Sequence, residues 1–145
     1  MSHSYICNRV HVVFSTKNRQ DLIPENTKLW PYIEGIGKNH GTPVFAVGGT
    51  ANHIHLLITV PATVPLAKAV QTIKAVSSKW LRESVPKFEW QQGYAAFSVS
   101  ASNVTAVAEY IRRQPEHHAK HSFEDEFRSL LMRHGLGFDE RYVFG

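Results

Sequence analysis

Two histidines separated by one residue, His53 and His55 in "ANHIHLLITV", stand at the mouth of the most hydrophobic segment of the chain. In an extended strand, residues i and i+2 share a face roughly 6–7 Å apart, so both imidazoles point the same way and can reach one ion. Ile54, Leu56 and Ile58 then point to the opposite face and anchor the strand. In a chain with nine histidines, the pair is either polar packing or two ligands of a metal site. Two ligands never complete such a site. Further along, Tyr110 and Gln114 share one helical face with side chains roughly 5–6 Å apart, and His118 lies one turn beyond. Taken alone, Tyr110 reads as the edge of an amphipathic core and Gln114 as a solvated amide.

These side chains depend on the elements that carry them. Residues 9–16, "RVHVVFST", alternate and are β-branched, which predicts a strand. Between 25 and 40, Leu29, Trp30, Ile33 and Ile36 recur at helical spacing before Gly41. A second strand spans 42–50, and Gly48 and Gly49 suggest a tight connection into a third, 52–60, which Pro61 ends. Pro65 opens a helix that runs to about residue 84. Its apolar stripe is Leu66, Ala69, Val70, Ile73, Val76, Trp80 and Leu81; Lys68, Gln71, Lys74, Ser78, Lys79 and Arg82 fall on the other side.

Residues 88–100 read as a fourth strand bent at Gly93. A third helix starts with Asn103 as its cap, and Pro115 breaks it near Gln114. Ser122 and Asp125 resemble a capping box for a last helix that ends before Gly135. The order predicts an α+β fold: a ferredoxin-like βαββαβ antiparallel sheet with a C-terminal helical extension, in one domain spanning 1–145.

A chain of 145 residues, 43% hydrophobic, has the size and composition of a single globular core. Cys7 stands alone and no charged, apolar leader is visible, both of which point to a cytoplasmic setting. The aliphatic run at 56–60 is too short to span a bilayer, so no membrane role is expected. A formal charge of +4 is compatible with a nucleic-acid partner without demanding one.

The segments "HVVFSTKNR", "NHIHLLITV", "WQQGYAAFSVS" and "YIRRQPEHH", in this order, resemble the small HUH-type tyrosine transposases. These are the single-strand transposases of the smallest insertion sequences, with relatives associated with repetitive extragenic palindromes. The similarity runs from about residue 8 to the C-terminus. It implies a DNA transposase that cleaves and rejoins single-stranded DNA through a covalent 5′-phosphotyrosine. Tyr110 would be the nucleophile and His53, His55 and Gln114 the metal ligands, in an obligate homodimer acting on hairpin ends of a mobile element at the nucleoid. Pro115, directly after Gln114, departs from the pattern and leaves His117 or His118 as fallback ligands.

The implied chemistry is coherent. A phosphotyrosine keeps the energy of the bond it replaces, so a free 3′-hydroxyl can reverse the step. A divalent cation relieves charge on the phosphate. Imidazole favours zinc, nickel or copper whereas phosphate chemistry favours magnesium or manganese, so Mg²⁺ or Mn²⁺ is expected, weakly held without DNA. Neutral imidazoles are needed for ligation, which predicts declining cleavage below roughly pH 6. Lys17, Arg19, Lys68, Lys74, Lys79 and Arg82 are candidate phosphate contacts, although a basic helix face is equally readable as solvated. Of Arg112 and Arg113, at most one can face the phosphate. Trp90, Tyr94 and Phe97 are base-stacking candidates or core residues. Rival readings are an inactive or domesticated relative that binds hairpin DNA, a replication initiator or relaxase using the same chemistry, and a metal-binding ferredoxin-like regulator.

Overall fold

β-Branched alternation and helical periodicity sort the apolar side chains onto two surfaces of one sheet, as the computed structural model, which describes residues 3–144, makes plain. The elements run β1 (Arg9–Ser15), α1 (Leu29–Asn39), β2 (Val44–Gly49), β3 (His53–Thr59), α2 (Leu66–Leu81), β4 (Ala95–Val99), α3 (Val104–Arg112), α4 (Gln114–His118) and α5 (Phe123–Arg133). The strands form one antiparallel sheet in the order β2-β3-β1-β4, and three helices follow it as the expected extension.

Both faces of the sheet are covered. Val10, Val12 and Phe14 of β1 and Ile54, Leu56 and Ile58 of β3 pack with Ile33 and Ile36 of α1 and with Val70 and Ile73 of α2. Each such fully buried aliphatic side chain contributes about 1.5–3 kcal/mol, which makes this layer the platform. The odd-numbered residues face the other way. Leu57 joins Ala46 beneath Val104, Ala108 and Ile111 of α3, while Val13, Ala95 and Phe97 meet Phe123, Phe127, Leu130 and Leu131 of α5. His53 and His55 share this second face, in the space between the two apolar patches.

Several boundaries differ from the sequence reading. The helix expected from residue 25 begins at Leu29, whose N–H is accepted by Thr27 Oγ1 at 2.9 Å. The fourth strand starts at Ala95; before it, Trp90 makes a single bridge to Thr16, and Gly93 bends the chain at φ 81°. Asn103 closes a 3₁₀ turn, Ala101–Asn103, and its side chain makes no capping bond. Ser122 does cap α5, its Oγ accepting the Asp125 N–H at 3.1 Å. Near Pro115 the helix breaks as expected: α3 stops at Arg112 and α4 restarts at Gln114, so proline falls in a first turn, where its missing N–H costs nothing.

Gly48 and Gly49 lie within β2 rather than in a turn. A Cβ on Gly48 would collide with the Ile111 carbonyl, so glycine at this position lets α3 lie directly on the strand. Gly48→Val is expected to cost about 1–3 kcal/mol through overpacking. Gly35→Ala, with nothing within 4 Å of the added carbon, should lose no stability. Urea unfolding midpoints test this, and equal midpoints for Gly48→Val and the unaltered protein would refute the close approach.

Candidate active site

The two-residue period of β3 puts His53 and His55 side by side, both fully buried, with ring centroids 5.2 Å apart. α3, seated by Ala108 and Ile111, brings the half-buried Tyr110 ring to 5.7 Å from that of His55. Across the helix break, Gln114 is fully buried and its Oε1 lies 3.0 Å from His53 Nε2 and 2.9 Å from His118 Nε2. The candidate nucleophile and the three expected ligands therefore converge within one chain.

A residue absent from the sequence reading stands at the centre. Glu126 of α5 is 5% exposed. Its Oε1 lies 2.9 Å from His55 Nε2, 3.1 Å from His118 Nε2 and 3.7 Å from His53 Nε2. Its Oε2 accepts from the Tyr110 hydroxyl and, at 3.0 Å, from Gln114 Nε2. There was a sequence clue. Phe123, Glu126, Phe127, Leu130 and Leu131 occupy positions i, i+3, i+4, i+7 and i+8, so a carboxylate sits in an otherwise apolar stripe.

The outer nitrogens of the imidazoles are engaged as well. His53 Nδ1 lies 2.9 Å from Asn52 Oδ1 and 3.0 Å from Thr50 Oγ1. His55 Nδ1 meets His11 Nε2 at 2.8 Å, and His118 Nδ1 meets the His121 carbonyl at 2.7 Å. Partners of this kind fix ring orientation around metal ions. The donor atoms of His53, His55, His118 and Glu126 all lie within 4.8 Å of one another, a nitrogen-and-oxygen set that suits a divalent cation.

Burial governs the protonation states. It lowers the pKa of His53 to about 3, with the neighbouring His55 acting in the same direction, and it lowers His11 to about 3 as well. His53 thus keeps its lone pair well below pH 6, so the acid loss of ligation expected near pH 6 does not arise at this residue. Burial and the bond to Glu126 raise the Tyr110 phenol, which stays protonated in this arrangement. Burial alone would raise Glu126, but hydrogen bonds from His118 and His55 outweigh it and hold the carboxyl well below its usual range. For His118 burial pulls downward, and the Glu126 carboxylate raises the imidazole overall.

Tyr110 is reached through a hollow that it lines with His117, His121, Asp125, Glu126, Ser129 and Arg133. Arg133, which also went unselected, lines a second hollow beside Tyr110 with His11, Phe97 and His134. The other selected cations are dispersed. Lys68, Lys79 and Arg82 are exposed on α2, across the sheet from the histidines, where Ser78 of the same helix is buried. Lys74 is committed to the carbonyls of Gln91 and Gly93, at 2.7 and 2.8 Å. Lys17 pairs with Glu89, Arg19 with Glu124 and Arg113 with Glu109, while Arg112 reaches the Phe45 carbonyl. Trp90 and Phe97 are buried, Trp90 bonding to Ser77 and Phe97 stacking on His134, whereas Tyr94 is exposed.

Residues 4–114 match the family described as "Transposase IS200 like". The chain is similar in structure to a protein of Deinococcus radiodurans assigned as a transposase, with a TM-score of 0.60, 20% identity, and coverage of 77% of this chain and 94% of that one. It is also similar to a REP-associated tyrosine transposase bound to a REP hairpin, with a TM-score of 0.60, 17% identity, and coverage of 81% of this chain and 73% of that one. No curated protein matches the chain.

Burying neutral His11 and His53 sets an acid dependence of stability. Unfolding restores each pKa from about 3 to 6.5. Between those values the unfolded chain binds more protons, so stability is fullest above pH 6.5 and falls as pH drops towards 3. Each group contributes a slope of about 1.4 kcal/mol per pH unit in the middle of that window. Urea unfolding of the metal-stripped protein at pH 4 to 6 should give a slope that His11→Gln reduces by one proton's worth. An unchanged slope would show that His11 is not buried neutral.

Proposed function

Because the chain belongs to the family of IS200-like transposases, we propose that it cuts and rejoins single-stranded DNA through a covalent 5′-phosphotyrosine. Tyr110 is the nucleophile, and His53, His55 and Gln114 hold Mg²⁺ or Mn²⁺. The observation that carries this reading is the meeting of a phenol and the imidazole pair at one buried carboxylate, since Tyr110 and His55 both contact Glu126. On this reading the 145 residues act as one catalytic domain, in the cytoplasm.

In the cleavage step a bond forms between the Tyr110 oxygen and phosphorus, and the bond from phosphorus to the 3′ oxygen breaks. The phenol proton passes to Glu126 Oε2, the acceptor it already meets, and the departing 3′ oxygen takes a proton from solvent. Rejoining is the reverse and needs only a 3′-hydroxyl. A divalent ion, when bound, polarises the phosphate. His53, His55 and Gln114 would hold that ion, while Arg133 lines both hollows from which Tyr110 is reached and offsets the charge of the entering strand.

The hairpin bound by one structural relative supports hairpin DNA as the substrate. A homodimer would bring two such sites to two DNA ends; one chain already assembles the residues named. Of the selected cations, Arg19, Arg112 and Arg113 share the helical layer or its rim with Tyr110 and suit the cleaved strand. Lys17 lies beside the 89–92 loop, and Lys68, Lys74, Lys79 and Arg82, carried by α2, can meet only DNA that passes around the sheet.

Incubating the protein with labelled single-stranded hairpin DNA and Mn²⁺ should give a covalent adduct that is absent in Tyr110→Phe. An adduct that survives this substitution sinks the assignment. Arg133→Ala should weaken binding and reduce the log–log salt slope by about 0.7, the contribution of one phosphate contact on a single strand. Lys68→Ala should leave the slope unchanged if the strand runs past Tyr110.

A further inference from the structure

Hydrogen-bond accounting at the cluster leaves acceptor atoms facing one another unless positive charge lies among them, either a proton on His118 or a bound cation. The His121 carbonyl can only accept, so His118 Nδ1 must carry the hydrogen, and Nε2 of the neutral imidazole, the form that ligates a metal, presents a lone pair. That lone pair faces Gln114 Oε1 at 2.9 Å and Glu126 Oε1 at 3.1 Å. His53 is in the same position. Its Nδ1 lies between Asn52 Oδ1 and the Thr50 hydroxyl; in the tautomer with the proton on Nδ1, its Nε2 lone pair meets Gln114 Oε1 at 3.0 Å. Turning the Gln114 amide over would place its carbonyl against Glu126 Oε2 and still leave His118 against Glu126 Oε1. Buried acceptors held against one another are costly without a positive centre between them.

We infer that His118 and Glu126, both beyond the matched span 4–114, are further ligands of the metal ion, and that with His53, His55 and Gln114 they hold a divalent transition-metal ion before DNA arrives. Glu126 Oε1 lies 2.9, 3.1 and 3.7 Å from the three imidazole nitrogens. Those values bracket the spacing of about 3.3 Å between ligand atoms on a centre with bonds near 2.0–2.1 Å. Three imidazoles and a carboxylate favour zinc, cobalt or manganese over magnesium. The same carboxylate binds Tyr110 through Oε2, so the ion and the nucleophile are linked by one side chain. The inference rests on the proposed function for its His53 and His55 ligands and adds two more.

The test is titration of DNA-free, metal-stripped protein with Co²⁺, read by its visible absorption and by calorimetry. The unaltered protein should bind Co²⁺, and equimolar Mg²⁺ should not displace it. His118→Asn and Glu126→Gln should each weaken binding by about tenfold or more. Circular dichroism checks folding, and the half-buried His118 gives an independent reading should Glu126→Gln fail to fold. If either folded variant binds Co²⁺ as the unaltered protein does, the inference is overturned for that residue. If both do so while His53→Ala loses the ion, the added ligands are wrong and the proposed function stands. Unchanged binding in His53→Ala overturns the metal centre of both readings, and no binding by the unaltered protein without DNA overturns this inference alone.

Discussion

A carboxylate withdrawn from water keeps its charge only where hydrogen bonds or cations replace the lost solvent. Glu126 meets that condition with Tyr110 and Gln114 on one oxygen and with His55 and His118 on the other. Every residue that the site needs touches this group, apart from His53 at 3.7 Å. The carboxylate is therefore the constraint that sets the rest. It orients the phenol, fixes which end of the Gln114 amide faces the histidines, and draws the two imidazole-bearing elements onto one point.

Ordinary packing delivers that charge. Phe123, Phe127, Leu130 and Leu131 seat α5 against Val13, Ala95 and Phe97, and Glu126 shares their helical face. α3 is set down on β2 by Leu57, Ala46 and Ile111, with Gly48 allowing backbone contact. The two apolar patches flank the histidines, so hydrophobic neighbours bury His53 and His55. The opposite face of the sheet, covered by α1 and α2, holds none of the residues that meet at Glu126.

Much of this was legible in the order of residues. Alternation located β1 and β3 and put His53 and His55 on one face, because the period of a strand leaves no freedom about it. The i, i+4 spacing of Tyr110 and Gln114 survived a helix break because proline in a first turn restarts a helix without rotating the preceding residue away. Glu126 was legible only as a carboxylate set in an apolar helical stripe. A charged residue on a short helix is ordinarily solvated, and only the docking of α5 decides that this one is buried. Lys74 shows the complementary limit: a helix face that is polar by angle can still be engaged by a loop, here the carbonyls of Gln91 and Gly93. Gly48 and Gly49 read as a turn because local propensity reports conformational freedom and cannot report a helix pressing on the strand.

Charge also bears on how a strand enters. A phosphodiester entering the hollow beside Tyr110 brings a negative charge towards one that is already there. At 4 Å, with the screening typical near a protein surface, two like charges repel by about 4 kcal/mol. Tyr110 brings no positive charge of its own, since burial and Glu126 keep its phenol protonated and neutral. The compensation must come from Arg133 at the wall of the hollow and from positive charge among the histidines. On the proposed reading, a strand that arrives after a cation would meet less net negative charge than one that arrives first. Positive charge in the histidine cluster, on that reading, favours entry of the strand.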